Sequence, residues 1–557
     1  MKNIYKNSGI EISTDIVDRK WIDVNIPCKK ACPIMTDIPG YIQAIMEGDF
    51  ERAYRINRRD NVLPSILGRV CHRPCESACR HGWDGLGDPV SICFLKRSSA
   101  DLGFETSYPK IAPNGKSICI VGSGPAGLTA ANDLALLGYE VTVLEQFQKT
   151  GGMLRYGLPQ FRLPHDIVDQ DVESIIRLGV KIETGKRIEG EAEFKNLTSQ
   201  YDAVILAGGC MLAKELDIPG LDSKGSFYGL DFMMKANLEQ INYPVRKVVV
   251  IGGGFTAVDC ARIAYRLGAE KISIAFLFTR DMMGAGAHEI DAMEAEGVEF
   301  AFLVTPVAVE SKDGRVIRLR LSRNQLQPDK SVKTIADSEF IIDADTIVFA
   351  IGQKEEREIL GKLLSQPADN FFLAGDFRYG AATVIEAAAD GRKTAREVHR
   401  FLTALHGYED RVRIQPVEQT GRERNDDFIP LQPMDELPLS QRRNKNAEVE
   451  LGFSKEKALI EARRCYLCHF NFQIDIARCI YCLACIDVMP VDCIKMAKDI
   501  EVSEDGSLNY VDTSSWSEVQ AIAIDNNKCI RCGNCYRVCP VECISISRYE
   551  LETVPVD

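Results

Sequence analysis

Apolar and polar positions define the middle of the chain first. "KSICIVGSGPAGLTAANDLALLGYEVTVLEQ", 116–146, runs an apolar β-stretch, a glycine-rich turn, an amphipathic helix and a second β-stretch ending in Glu145. The same order returns in "RKVVVIGGGFTAVDCARIAYRLGAEKISIAFLFTRD", 246–281. "YDAVILAGG", 201–209, and "ADTIVFAIGQ", 344–353, read as strands where the chain passes between these two folds. "NFFLAGDFRYGAATVIEAAADGRKTA", 370–395, brings a strand running to Gly375 and Asp376, then an alanine-rich helix. The pattern predicts an α/β protein with two nested Rossmann-like domains, the second inserted in the first.

The glycine spacing gives these folds a chemistry. Gly122 permits the tight turn, Gly124 lets backbone approach a pyrophosphate, and Gly127 lets helix pack on strand. Pro125 and Ala126 open the helix, whose positive N-terminal end suits a diphosphate. Glu145 stands where an acid takes ribose hydroxyls. In the second copy Gly252, Gly253 and Gly254 lead into Phe255 and Thr256, and Ala257 replaces the third glycine. Two such folds in series predict one flavin site and one nicotinamide site, FAD with NAD(H) or NADP(H). Asp376 then faces the flavin's ribityl–phosphate region, and Thr383 is a further cofactor-binding candidate.

Charge and composition remove other classes. The 557 residues carry a net charge of −13, which repels a nucleic-acid backbone. No apolar run approaches the roughly 20 residues of a membrane helix, and "MKNIYKNSGIEISTDIVDRK" has no signal-peptide core. The expectation is a soluble, cytoplasmic protein.

Twenty cysteines without a secretion signal argue for metal rather than disulfides. They gather at both ends. Cys28, Cys32, Cys71, Cys75, Cys79 and Cys93 precede the flavoprotein, and eleven follow from Cys465 onward. Cys119, Cys210 and Cys260 sit in core motifs and read as small buried hydrophobes. The six N-terminal thiols supply one four-cysteine iron–sulfur site with two left over.

The run "GGMLRYGLPQFRLP", 151–164, with Gly152 and Leu154, between the first fold and "GGGFTAVDCAR", resembles the glutamate synthase small-subunit family. That family includes the large subunit of bifurcating NADH-dependent ferredoxin:NADP oxidoreductase and the N-terminal half of dihydropyrimidine dehydrogenase. The tail, with "EARRCYLCHF" before it, resembles a narrower branch, the iron–sulfur flavoprotein accompanying dissimilatory sulfite reductase. The resemblance implies FAD, a nicotinamide, and three to four iron–sulfur clusters, mostly 4Fe-4S. Family members carry an upstream C-x-x-C that residues 1–27 lack. Cys465 and Cys468 look like that piece displaced, so the expectation is that they fold back and complete an N-terminal cluster. The family also has Tyr-Arg-Arg after the second β-stretch of the nicotinamide fold, gripping the 2′-phosphate of NADP. Here Phe276, Leu277 and Phe278 stand there, with only Arg280 nearby, which favours NADH.

The tail resembles a two-cluster ferredoxin. "CIYCLACIDVMPVDCI", 479–494, nearly repeats as "CIRCGNCYRVCPVECI", 529–544. The fourth cysteine of each run serves the other cluster. Cys479, Cys482 and Cys485 with Cys539 make a complete site, whereas Cys529, Cys532 and Cys535 meet Met489. Three outcomes stay open: a three-iron cluster, a non-thiolate ligand or water, or Cys493 as substitute. Against the last, Cys543 holds the matching place in the complete copy, which favours packing.

The domain reading is a helical iron–sulfur domain at 1–112 and the flavin domain at 113–240 and 346–405, interrupted by the nicotinamide domain at 241–345. A linker and C-x-x-C helix at 406–473 and a ferredoxin-like α+β domain at 474–557 follow. The linker, rich in charge and proline, reads as an extended connector. Ser454, with a glutamate behind it, reads as a capping-box start for the helix that delivers Cys465. The expected function is electron transfer between NAD(P)H and a redox protein partner, such as sulfite reductase, ferredoxin or a catalytic subunit, in a hetero-oligomer or homodimer. No side-chain acid or base is nominated as catalytic. The alternative is a docking subunit with a vestigial nicotinamide site. A barrel for substrate chemistry, about 250 residues, does not fit in what remains.

Overall fold

The computed structural model describes residues 19–83, 86–104, 109, 111–403, 405–502 and 508–556. The stretch read for a signal peptide falls largely outside them. The chain divides into two compact units. One comprises residues 108–398 with 435–451, the other residues 1–107, 399–434 and 452–557.

The first unit holds two five-stranded parallel sheets. One orders Phe371–Leu373, Ala203–Leu206, Ser117–Val121, Glu140–Glu145 and Lys181–Thr184. The other orders Ser226–Tyr228, Thr346–Phe349, Lys247–Ile251, Lys271–Phe276 and Val298–Phe302. The edge strand of the first sheet comes from beyond the second, so the nesting read from the sequence is the observed topology. Ala203–Leu206 and Thr346–Phe349 are buried along their whole length, as strands covered on both faces must be. Each fully buried Val, Leu or Ile there contributes about 1.5–3 kcal/mol.

The second unit begins with short helices. Pro27, Pro64 and Pro74 open three of them, where a missing N–H costs nothing. Asp37 and Asp49 cap two more, accepting the N–H groups of Gly40 and Arg52 at 3.2 and 2.9 Å. The stretch expected as an extended connector is more structured than that. Gly407–Val417 is a strand paired in antiparallel register with the C-terminal strand Ile544–Val556, which also pairs with Phe470–Ile474. Glu409, Asp410, Arg411 and Arg413 crowd its first half on an edge strand, which hides the period in a polar stretch. Residues 435–451 belong to the flavoprotein unit, where Val449 N–H donates to Phe161 O at 2.9 Å.

Helix Lys455–Arg463 starts at Ser454, whose Oγ accepts the Lys457 N–H at 3.2 Å. Lys457 occupies the third helical position, where a capping box needs glutamate or glutamine, so only the serine half forms. The helix packs against Ile38–Met46 and Ile92–Gly103.

Candidate functional site: a dinucleotide cavity and four groups of thiols

In the flavoprotein unit a cavity of ≈ 260 Å³ opens over the first glycine turn. Gly122, Gly124, Pro125, Ala126, Glu145 and Gly152 line it, as do Asp376 and Thr383 from the closing segment. Phe255 and Thr256 reach it from the second fold. Gly127 acts beneath, since a Cβ there would meet Gly122 O at 2.0 Å. Leu154 is fully buried and does not line the cavity, whereas Met153 does. Gly375 packs on Ala126, where a Cβ would stand 2.6 Å from the alanine methyl.

Glu145 organises the turn. One carboxylate oxygen accepts both the N–H and the Oγ–H of Ser123, at 3.0 and 2.5 Å. The other accepts the Phe147 N–H at 2.9 Å. Ser123 Oγ in turn accepts the N–H of Gly151, tying in the "GGMLRYGLPQFRLP" run. Asp376 Oδ1 is buried without a hydrogen-bond partner, and burial pushes its carboxyl up to about 6, against the N–H of Ala382. An unpartnered acceptor in the same cavity as the uncapped N-terminus of helix Pro125–Leu136 fits a ligand bearing both hydroxyls and a diphosphate, as FAD does.

The second fold differs at its rim. Gly252 stands at φ +143°, with Ala350 O 2.3 Å from where a Cβ would be. Phe276 ends the strand equivalent to the one ending in Glu145, and its ring lies against Gly253. Gly254 leads into helix Phe255–Arg266. Arg280 is exposed and already engaged, by Glu294 and by Asp291 at 3.1 Å. Arg162, from the "GGMLRYGLPQFRLP" run, pairs with Asp259 of the "GGGFTAVDCAR" helix at 2.8 Å and with Glu289 at 2.5 Å. The two signature runs are joined through one buried ion-pair network.

In the other unit the cysteines fall into groups. Cys28 faces Cys468, Cys79 and Cys465. Cys71 and Cys75 are within hydrogen-bonding reach of Cys93, and Cys75 also faces Cys32. Tyr41, buried between the groups, faces Cys28 of one and Cys32, Cys75 and Cys93 of the other. The fold-back of Cys465 and Cys468 is held by buried polar contacts. Glu461 accepts the Ser91 N–H at 2.8 Å, and Arg464 donates to Pro89 O and Asp88 O at 3.1 and 2.7 Å. The Tyr466 ring stacks on His81 with centroids 4.9 Å apart.

The tail holds two further groups. Cys485 faces Cys479 and Cys482, and Cys543, beside Cys539, faces Cys479 as well. Cys535 faces Cys529 and Cys532. Cys482 is the one exposed cysteine of the twenty. Among the described residues no three or more His, Cys, Asp or Glu converge tightly enough for a single metal ion.

Buried cations beside the thiols were not anticipated from the sequence. Lys96 is 5% exposed and faces Cys93, Cys71 and Cys75; burial opposes its charge, but the thiolates outweigh burial and raise its pKa. Its signal was present, since it lies three residues after Cys93 on one helix and so on the same face. Arg80 and Arg531 have no local signal. Arg80 donates to Asn526 O at 3.3 Å, and Arg531 donates to Asn25 Oδ1 at 2.6 Å across more than 500 residues of sequence. Burial, with the Arg531 charge, lowers Arg80 to about 10. Cys119, Cys210 and Cys260 are buried, as expected.

The cavity and the thiol groups define an iron–sulfur flavoprotein oxidoreductase. Comparison with known proteins agrees. The family model for pyridine nucleotide-disulphide oxidoreductases matches residues 116–378. That for dihydropyrimidine dehydrogenase domain II, with its 4Fe-4S cluster, matches 21–108, and a 4Fe-4S dicluster domain matches 478–547. The chain is 33% identical over 509 residues to the β subunit of the NADP(+)-dependent formate dehydrogenase of Moorella thermoacetica, covering 80% of this chain and 71% of that one. It is 32% identical to the β subunit of the NADPH-Fe(3+) oxidoreductase of Geobacter sulfurreducens, covering 80% and 75%. The glutamate synthase (NADPH) small chain of Mycobacterium tuberculosis is 30% identical over 69% of this chain and 87% of that one. The chain belongs to the glutamate synthase small-chain-like family of iron–sulfur flavoprotein oxidoreductases. No helix of the described residues is long and apolar enough to cross a membrane.

Proposed function

We propose that this chain is an NADH-preferring electron-transfer subunit that exchanges electrons with a redox protein partner through FAD and iron–sulfur clusters. When bound, FAD converts the two-electron hydride of a nicotinamide into the single electrons that clusters carry. The observation that carries the reading is the grouping of the eight thiols at the N-terminal end. They form two sets of four only when Cys465 and Cys468 are counted with Cys28 and Cys79.

In this reading Cys28, Cys79, Cys465 and Cys468 hold one cluster, and Cys32, Cys71, Cys75 and Cys93 a second. Cys479, Cys482, Cys485 and Cys539 hold a third, and Cys529, Cys532 and Cys535 contribute to a fourth. Lys96, Arg80 and Arg531 offset the negative charge of thiolates in a region water does not reach. The exposed Cys482 marks the tail as the face a partner meets.

For the flavin, Glu145 holds the turn amides in place and Asp376 offers its free oxygen to a ribityl hydroxyl. Leu277 and Phe278 leave a 2′-phosphate without a cation, and Glu294 and Asp291 neutralise Arg280. That favours NADH, although relatives are named for NADP(H). The relatives' names, β subunit and small chain, support assembly with a second subunit. The resemblance of the tail ranks a sulfite reductase first among partners. The docking-subunit alternative is disfavoured by the intact glycine turn at Gly252 and Gly254.

The test is an anaerobic titration of cluster-replete protein with NADH and with NADPH, following flavin bleaching. Bleaching at much lower NADH than NADPH is expected. Silence with both, while dithionite still bleaches, would leave only a relay.

A further inference from the structure

The two copies of the tail motif differ at one position, and the geometry around it supplies a substitute. In the complete copy Cys539 Sγ lies 3.4 Å from Cys543 Sγ and accepts the Cys543 N–H at 3.3 Å. In the other copy Met489 stands in the place of Cys539, and its Sδ accepts the Ile494 N–H at 3.3 Å. The backbones match otherwise. Asp475 N–H donates to Cys543 O at 2.8 Å, and Asp525 N–H donates to Cys493 O at 2.7 Å. Cys493 is therefore pinned at the start of strand Ile494–Val502, as Cys543 is at the start of Ile544–Val556.

What Cys493 faces decides the matter. It is 5% exposed and packs in one apolar cluster with Cys529 and Cys535. Its thiol is within hydrogen-bonding reach of Cys529 and faces Cys535 and Cys532. A thioether is neutral and a weak partner for iron, whereas clusters are held by thiolates. Cys543 has a complete set of four around it and is not needed. Cys493 stands beside a set of three.

We propose that Cys493, rather than Met489, is the fourth protein ligand of the cluster held by Cys529, Cys532 and Cys535. The site is then a four-thiolate, four-iron site, and Cys493 is more than the packing residue its counterpart Cys543 suggests. The inference rests on the reading that the tail thiols hold clusters.

The experiment uses the full chain, reconstituted anaerobically, with iron content and electron paramagnetic resonance of the oxidised protein as readouts. The wild type is expected to show no three-iron signal. Cys493→Ala is expected to lose one iron per chain and to gain a three-iron signal in near-stoichiometric amount. Met489→Cys in the Cys493→Ala background is expected to restore the iron and remove the signal, which separates loss of a ligand from loss of fold. Cys543→Ala is expected to leave both readouts unchanged. A stoichiometric three-iron signal already present in the wild type would overturn the proposal. So would a Cys493→Ala protein that keeps its iron and stays silent. The underlying reading is tested apart, by Cys539→Ala: if that variant keeps all its iron, the tail holds no cluster through Cys539, and both ideas fall.

Discussion

The two dinucleotide folds share a backbone and diverge at the residue that ends the second strand. In the first it is Glu145, 3% exposed, with both oxygens occupied by N–H and O–H donors. In the second it is Phe276, whose ring rests on Gly253. The glycine turns themselves are nearly superposable in their demands. A Cβ would meet Ala207 O at 2.4 Å from Gly122, and Ala350 O at 2.3 Å from Gly252. The turn geometry therefore makes a dinucleotide site, and one side chain at the strand end sets what the ribose end meets. The first fold fixes its loop with charge. The second leaves its strand end apolar, with Phe276 against the turn.

Breaking the first side of this comparison gives the largest effect. Glu145→Ala leaves three buried donors without an acceptor, at about 1–3 kcal/mol each. The Ser123 hydroxyl also loses the partner that orients it toward Gly151. FAD affinity is expected to fall roughly a hundredfold or more, as a 3 kcal/mol loss implies, and the protein to purify nearly colourless. The flavin-to-protein absorbance ratio checks this. A variant that keeps a full complement of FAD would mean that Glu145 is not what holds the turn.

The link between the folds comes next. Arg162 bridges Asp259 and Glu289, and the side chain of Glu289 is 12% exposed. Burial would raise the Glu289 carboxyl, but Arg162 and Arg262 outweigh it and hold it at about 2, below the ordinary 4.5. A depressed carboxylate stabilises the fold above its unfolded pKa and loses that contribution as pH falls through the folded value. Glu289→Gln is expected to cost about 3 kcal/mol at neutral pH. The gap to wild type should close as pH falls from 4.5 toward 2. Asp259 opposes this trend, because burial raises its carboxyl despite Arg162, so the network as a whole depends on pH less than Glu289 alone. Urea unfolding read by flavin release measures it; a gap that does not narrow in acid would place the cost in packing instead of charge.

Much of this was legible in the sequence, and the reasons differ by region. The nested folds announced themselves because buried parallel strands and glycine turns are local patterns, visible in windows of about 30 residues. The displaced Cys465 and Cys468 were legible only as a pattern moved out of place, and the polar contacts of Glu461 and Arg464 supply the physical reason they return. The strand Gly407–Val417 was missed because it owes its existence to a partner more than a hundred residues away, Ile544–Val556. Local composition says little about such an edge. Arg80 was missed for the same reason, since its acceptors are distant in sequence, and so was the bond of Arg531 to Asn25, although Arg531 also donates to nearby Asn526 O and Cys529 O.

The smallest expected effect sharpens the second side of the comparison. Leu277→Arg with Phe278→Arg places cations where the resemblance to the family implies arginines that grip a 2′-phosphate. A charge-assisted hydrogen bond to phosphate contributes about 1.5–3 kcal/mol when sheltered. This rim is exposed, however, as the 42% exposure of the Arg280 side chain indicates, and solvent screening reduces the gain. The apparent affinity for NADPH is expected to rise about tenfold, with NADH changed less. Glu294→Gln added to the pair should raise it further, because it frees Arg280 from its nearer carboxylate. The readout is the same anaerobic flavin bleaching. If the arginines leave NADPH as poor as before while NADH still bleaches the flavin, nucleotide choice is not set at this strand end. It would then have to be set by the loop after Arg280, where a Cβ on Gly284 would stand 3.8 Å from the Gly254 Cα of the glycine turn.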